Sequence, residues 1–355
     1  MRSSFHLRIP VWSLTLACIV AVSGYLLLLT TRNRVPYPLQ TTQLAASELM
    51  QKAVTDLESE VSRRGIPVEA DVDPNKTGLI GPEWTQLTTT LGIVEAKRST
   101  WNPNFAALMV KYFHDAGLKE GDVVAVGTSG SFPGLLVATL CATKAMGLKA
   151  KVIASYGSSM YGATRVEFTV VDFLQVLRRF SDFSLLAVSP GGYLDGGESN
   201  LYEDAREVIK TLALASGVEF ISYEPPDVEK SIARRLELFS DVDCFVNVGG
   251  ASPNSGTSSY TLDFPQGLVL EPPRIPTTRD RGLMYEYAAR GVPVVNLLNV
   301  RLLADVNGLP YDPVPLPAVG EGGVYWIFSY NRWILLSSIL LPLFILYLGF
   351  RKRKG

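Results

Sequence analysis

Val123-Val124-Ala125-Val126-Gly127-Thr128-Ser129-Gly130-Ser131-Phe132-Pro133-Gly134 decides the fold. A valine-rich run enters a Gly/Ser/Thr turn, and a helix-like segment follows from Leu135 to Met146. That order reads as strand, tight turn, helix. The glycines admit backbone angles that other residues resist. Thr128, Ser129 and Ser131 bring hydroxyls to a helix start, where N–H groups lack partners. Such a turn holds an anion or a carboxylate, or it is a plain capped βα connection.

The same grammar repeats downstream. Strand-like runs at Lys149–Ser155, Leu185–Val188, Val218–Ser222, Cys244–Val248 and Val292–Leu298 alternate with helix-like segments. The helical segments are Phe168–Phe180, Tyr202–Ser216, Val228–Phe239 and Tyr285–Arg290. This alternation predicts an α/β fold, a mostly parallel doubly wound sheet with helices on both faces. In such a sheet ligands bind beyond the carboxyl ends of the strands. Four strand ends carry Gly/Ser-rich turns, at 127–131, 155–159, 189–192 and 247–250. Parallel strands put all four at one edge. The predicted ligand-binding rim is therefore Thr128, Ser129, Gly130, Ser131, Ser158, Ser159, Gly191, Gly192, Asn247, Gly249 and Gly250.

Working outward, both ends of the chain are apolar. Val11 to Leu29 is uncharged and about the length that crosses a bilayer. A cleavable leader would need a small-residue site. Ala21-Val22-Ser23 lies inside the run with Tyr25 to Leu29 still to come, so the segment reads as an uncleaved anchor. Trp333 to Phe350 is the second run, followed by Arg351-Lys352-Arg353-Lys354. Trp326, Tyr330 and Trp333 suit an interfacial aromatic belt. The predicted organisation is a cytoplasmic N-terminus 1–10, a span 11–31, an extracytoplasmic domain 35–331, a span 333–350 and a basic cytoplasmic tail 351–355. The basic tail sets that orientation, although Arg32 and Arg34 lie on the wrong side of the first span for the rule. Within the domain, 41–65 reads as a stalk or packing helix and 309–331 as a proline-rich linker back to the membrane.

The chain carries a net charge of −1. Four arginines before residue 35 and five basic residues after residue 331 have no acids beside them, which leaves −10 on residues 35–331. Such a domain does not attract nucleic acid or a long polyanion in bulk, so any grip on an anion is local.

Residues 71–100 read as a long irregular stretch of the kind that is often functional, and 73–82 within it is turn-rich with few apolar positions. Lys97-Arg98 within it is a local cationic pair, read either as a surface ion-pairing group or as part of the binding site. Asn102-Pro103 starts a helix with Phe105, Leu108, Met109, Tyr112 and Phe113 on one face. His114 lies on that helix; it and His6 are the two histidines. Cys141 and Cys244 admit one disulfide, two buried thiols being the simpler reading, and no metal-ligand spacing occurs, so neither metal nor cofactor is expected.

Familiar catalytic motifs fit poorly. The turn at 127–134 has no lysine for a P-loop, and it does not match Gly-x-Gly-x-x-Gly. A nucleophile elbow needs Gly-x-Ser-x-Gly, whereas Gly127-Thr128-Ser129-Gly130-Ser131 ends on serine. Ser129 remains a candidate nucleophile, but its base would be His114, which precedes it. Glu167, Asp172, Asp195 and Asp263 are carboxylates near the predicted rim or in a loop, and Asp195 is the candidate to assist Ser129. Caps and surface charges are the simpler reading of all four.

The chain resembles the poly-γ-glutamate system protein family, membrane proteins associated with poly-γ-glutamate synthase components. The resemblance rests on Asp73-Pro74-Asn75-Lys76-Thr77-Gly78-Leu79-Ile80-Gly81, Asn102-Pro103-Asn104-Phe105-Ala106-Ala107 and Gly127-Thr128-Ser129-Gly130-Ser131-Phe132-Pro133. It continues in Ser158-Ser159-Met160-Tyr161-Gly162-Ala163, Gly308-Leu309-Pro310-Tyr311-Asp312-Pro313 and Pro315-Leu316-Pro317. It implies an accessory role in making, exporting or handling poly-γ-glutamate, with synthase components as partners. It carries over no catalytic residues. The −10 domain then suits gripping a chain end or a small carboxylate rather than sheathing a polymer. The alternatives are a hydrolase or transferase acting on γ-glutamyl bonds and a structural partner of synthase membrane subunits.

Overall fold

The computed structural model describes residues 9–198, 201–272 and 274–351. Residues 38–325 form one body, and the described residues 9–37 with 326–351 form another. The expected N-terminal segment before residue 9 and the basic residues 352–354 lie outside the described residues.

The larger body is built on a seven-stranded sheet. Its strands are β1 (Val123–Ser129), β2 (Lys149–Ser155), β3 (Phe183–Ser189), β4 (Glu219–Phe220), β5 (Cys244–Val248), β6 (Gly267–Val269) and β7 (Val294–Leu297). Their spatial order is β4-β3-β2-β1-β5-β7-β6. Every pairing is parallel except that of β6 with β7. The sheet is thus mixed by one short edge strand, which the sequence reading did not contain.

Alternation along the strands divides the core in two. Val124 and Val126 of β1, Ala150, Val152 and Ala154 of β2, and Cys244, Val246 and Val248 of β5 join one apolar cluster. Ala125, Ile153 and Phe245 between them join the other. Helices α1 (Gln40–Arg63), α3 (Asn104–Asp115), α4 (Pro133–Ala145) and α5 (Val170–Leu177) pack in the first cluster, with α2 (Val94–Ser99) preceding α3 in the chain. Helix α1 buries Ala46, Met50, Ala53, Val54, Leu57 and Val61, a stripe at helical spacing. Helices α6 (Ala205–Ala215), α7 (Val228–Leu238), α8 (Gly282–Ala289) and α9 (Val300–Asn307) complete the body, and α7 and α8 pack in the second cluster. Both faces of the sheet are covered, as near-continuous apolar strands require.

Local chemistry sets the boundaries. Pro133 opens α4, where a missing N–H costs nothing. Thr169 and Asp172 form a reciprocal capping box on α5. The glycines of the first turn act differently from expectation. Gly127, Gly130 and Gly134 are absent from the positive-φ residues. They are small because neighbours press on them: a Cβ on Gly127 would lie 2.6 Å from Asn254 Oδ1, and one on Gly134 2.5 Å from Thr100 O. Gly249 needs both properties, with φ +88° and only 2.4 Å to Ser129 Oγ.

The proline-rich stretch is not a free linker up to residue 325. Asp312 pairs with Arg98 at 2.6 Å, Pro313 O accepts from Asn75 Nδ2 at 3.0 Å, and Ala318 O accepts from Asn104 Nδ2 at 3.0 Å. These bonds sew residues 312–318 onto the segments that precede β1.

The smaller body contains two helices long and apolar enough to cross a membrane, Val11–Thr30 and Arg332–Arg351. Gly24 meets Ser338, and Gly349 meets Ser13. Small residues at such points let helix backbones approach closely. Asn33–Pro36 pairs antiparallel with Trp326–Ser329.

Candidate functional site

Beyond the carboxyl ends of β1, β2, β3 and β5 lies an open cleft of about 1090 Å³. The chain runs β1-β2-β3-β4 to one side and returns to β5 on the other side of β1. The β1/β5 junction is therefore the switch point of the sheet, where its geometry leaves a crevice. Ser129 and Ser131 line the cleft after β1, and Gly250, Ala251 and Ser252 line it after β5. Gly157 and Ser159 reach it after β2, and Gly192 after β3. All four Gly/Ser turns predicted to converge do so.

The remaining rim residues sit behind this lining. Thr128 is buried and its hydroxyl donates to Ser129 O at 3.1 Å. The Ser158 hydroxyl donates to Ser159 O at 2.7 Å. Gly130 packs against Ser158, and a Cβ there would lie 2.9 Å from that side chain. Gly191 donates its N–H to Asp195 at 2.9 Å. Asn247 is buried in β5, where its Nδ2 donates to Asn296 Oδ1 at 2.9 Å. These residues shape the cleft wall without lining it.

The adjacent cations separate. Lys97 is 2 % exposed and lines the cleft. Its Nζ donates to Ser131 O and to Ser159 Oγ, each at 2.5 Å, and lies 3.8 Å from the Phe132 ring centroid. No carboxylate among the described residues pairs with it. Burial alone lowers its ammonium to about 7. Arg98 instead makes a bidentate pair with Asp312, at 2.7 and 2.6 Å. Successive helical side chains point about 100° apart, so one turns to the cleft and the other to the proline-rich stretch.

Asp195 is placed as a strut. Its Oδ1 accepts from Ser189 Oγ and Gly191 N, both at 2.9 Å. Its Oδ2 accepts from Ser231 Oγ at 2.6 Å and Arg235 Nη1 at 2.8 Å. Four donors occupy the carboxylate, so it has no free oxygen to assist Ser129. Ser129 itself is buried and lines the cleft, but no histidine does; His114, the one histidine among the described residues, sits exposed at the last turn of α3. A serine–histidine pair is not assembled here. Asp172 is spent on its cap and on Arg64, 3.0 Å away. Cys141 and Cys244 are free and buried, and burial pushes the Cys141 thiol up to about 12.

Several lining residues escaped the sequence reading: Gln266, Asn299, Arg301 and Tyr311. Arg301 stacks its guanidinium 5.2 Å from the Tyr311 ring centroid. The signal for this wall was Asn299, which caps α9 by accepting from Leu302 N at 3.1 Å. The N–H groups of Gly250, Ala251 and Ser252 donate to no protein acceptor among the described residues.

No protein-family model matches the sequence, and no curated protein is similar to it. Among solved structures, the chain is similar to O-ureido-L-serine synthase, at 16% identity over 48% of this chain and 50% of that one, with a TM-score of 0.18. It is similar to the tetrameric eIF2B-beta2-delta2 complex from C. thermophilum at 16% identity over 44% of this chain and 36% of that chain, TM-score 0.15. A fungal L-serine ammonia-lyase from Rhizomucor miehei gives 9% identity over 63% and 76%, TM-score 0.17. The chain spans about half the length of the first and about a third of the second. At such TM-scores the likeness decides nothing about function.

Proposed function

We propose that this chain is a membrane-anchored accessory protein of poly-γ-glutamate biosynthesis or export, whose α/β domain holds a glutamate-type carboxylate or a chain end in the cleft. Lys97 carries the reading. An amine buried beside a large open cleft with no carboxylate of its own is a position that an incoming carboxylate completes. Arg301 supplies a further local donor in a domain whose overall charge is repulsive to polyanions. A small or terminal ligand satisfies both facts. The stretches that resemble the poly-γ-glutamate system family point to that pathway.

In the same reading both apolar helices span the membrane, both termini are cytoplasmic and the α/β domain is extracytoplasmic. The basic residues after the second helix support this orientation.

Binding has a signature. Near pH 7 about half of the Lys97 amines are neutral, and pairing with a carboxylate favours the ammonium. Calorimetry of the full-length protein in detergent, titrated with a γ-linked glutamate oligomer, is therefore run at pH 7.5 in buffers of different ionisation enthalpy. Saturable binding with proton uptake is the expected result. Absence of heat at low and moderate salt would exclude the reading.

A further inference from the structure

We infer that Lys97 is a covalent nucleophile, condensing with the carbonyl carbon of an aldehyde or 2-oxo acid that also bears an anionic group. The inference rests on the cleft being the ligand site. It goes further by assigning the bond that the ligand makes there.

The geometry around the amine supports this. A neutral amine has two protons and one lone pair. Nζ has two hydrogen-bond acceptors, Ser131 O and Ser159 Oγ. Both protons are then satisfied, and the lone pair is left for an electrophile. Phe132 covers one side of the amine, its ring centroid 3.8 Å away. Desolvation in an apolar surrounding is a standard way to activate a lysine for imine chemistry. No acid competes: the other titratable groups lining the cleft are Glu95, Tyr193, Arg301 and Tyr311, and none bonds to the amine. Arg98, its helix neighbour, is committed to Asp312. The anionic group of the ligand meets Arg301.

The reaction balances within these parts. The nitrogen lone pair forms an N–C bond, and the carbonyl π pair moves to oxygen. One amine proton passes to that oxygen, giving a carbinolamine, with the Ser159 hydroxyl 2.5 Å from Nζ to relay it. The second amine proton then goes to the hydroxyl group, which leaves as water while the nitrogen pair left behind closes the C=N bond. One amine and one carbonyl give one imine and one water, and no oxidant or reductant takes part.

The test uses full-length protein in mild detergent with two probes, pyridoxal 5′-phosphate for the aldehyde class and 2-oxoglutarate for the 2-oxo acids. Imines are trapped with borohydride and located by peptide mass mapping. At pH 7 a lysine titrating near 7 offers about a thousandfold more free amine than a surface lysine near 10.4. Trapping at Lys97 should therefore exceed that at any surface lysine by roughly tenfold or more. It should level off above pH 8 while surface labelling keeps rising. Trapping by only the aldehyde marks a cofactor-like ligand, and by only the 2-oxo acid a substrate; either supports the inference. Lys97→Arg and Lys97→Met should both lose the adduct. Surface lysines trapped by both probes with Lys97 untouched would overturn it, even where calorimetry shows carboxylate binding. In that event Lys97 serves as an ion-pairing group alone.

Discussion

Removing the Asp195 carboxylate should cost stability rather than chemistry. Asp195 and Arg235 are a buried pair, with side chains 4 % and 1 % exposed. The carboxylate also bonds Ser189, Gly191 and Ser231, so it ties the turn after β3 to helix α7. Asp195→Ala leaves a guanidinium buried without its counter-charge. Breaking such a pair from one side costs about 3–5 kcal/mol, a large part of the stability of an ordinary domain. Asp195→Asn keeps the shape but removes the charge and turns an amide N–H₂ toward a pair of groups of which one, Gly191 N–H or Arg235, can only donate, so it falls between. Pairing Asp195→Ala with Arg235→Met removes the stranded charge and should restore a good part of the loss. Urea unfolding of the full-length protein in detergent, followed by near-ultraviolet circular dichroism, reads these three variants, the Arg235→Met single and wild type. A single mutant within about 1 kcal/mol of wild type would refute the strut. So would a double mutant whose loss equals the sum of the singles.

Lys97→Met tests the burial of the amine. The folded chain holds Lys97 near 7 and the unfolded chain near 10.4, so the unfolded state binds the extra proton between those values. Wild-type stability should climb relative to Lys97→Met from pH 7 to about 10.4, by at most on the order of 5 kcal/mol, with the penalty full below pH 7. Parallel curves in urea would contradict it. Gly134→Ala should destabilise by about 1–3 kcal/mol, because its methyl group would press on Thr100 O at 2.5 Å; an unchanged urea midpoint would count against that contact. Cys141 and Cys244 should stay unmodified by a maleimide until urea unfolds the domain, given their burial; modification of the native protein would show that the core opens. A cysteine at exposed Lys119, in a chain lacking the three native cysteines, should react with an impermeant maleimide in intact cells; reaction only after lysis would reverse the proposed orientation.

The sheet was legible because its strands are apolar runs bounded by Gly/Ser turns, and the parallel order gathers those turns at one edge. Short elements escaped. Val94–Ser99 has six residues, too few to show a helical period, and it carries the cation that matters most. Adjacent residues there looked like one cationic pair. The helical rotation between them sends Lys97 inward and Arg98 to Asp312. Gly267–Val269 has three residues and pairs only because β7 offers an edge. Asp195 sat at the right turn, yet its role depended on Arg235, 40 residues away in sequence. Sequence spacing alone carries no sign of that partner. The proline-rich stretch read as a linker from its composition, while Asp312 and the carbonyls of Pro313 and Ala318 anchor it.

The central claim is that the cleft beyond β1 and β5 is where the ligand sits, with Lys97 at its floor. A structure of the full chain with a γ-linked glutamate oligomer tests it most directly. The account predicts ligand density in the cleft, with a ligand atom within bonding distance of Lys97 Nζ and an anionic group against Arg301. Ligand bound elsewhere on the domain, with Lys97 still held only by Ser131 and Ser159, would contradict it.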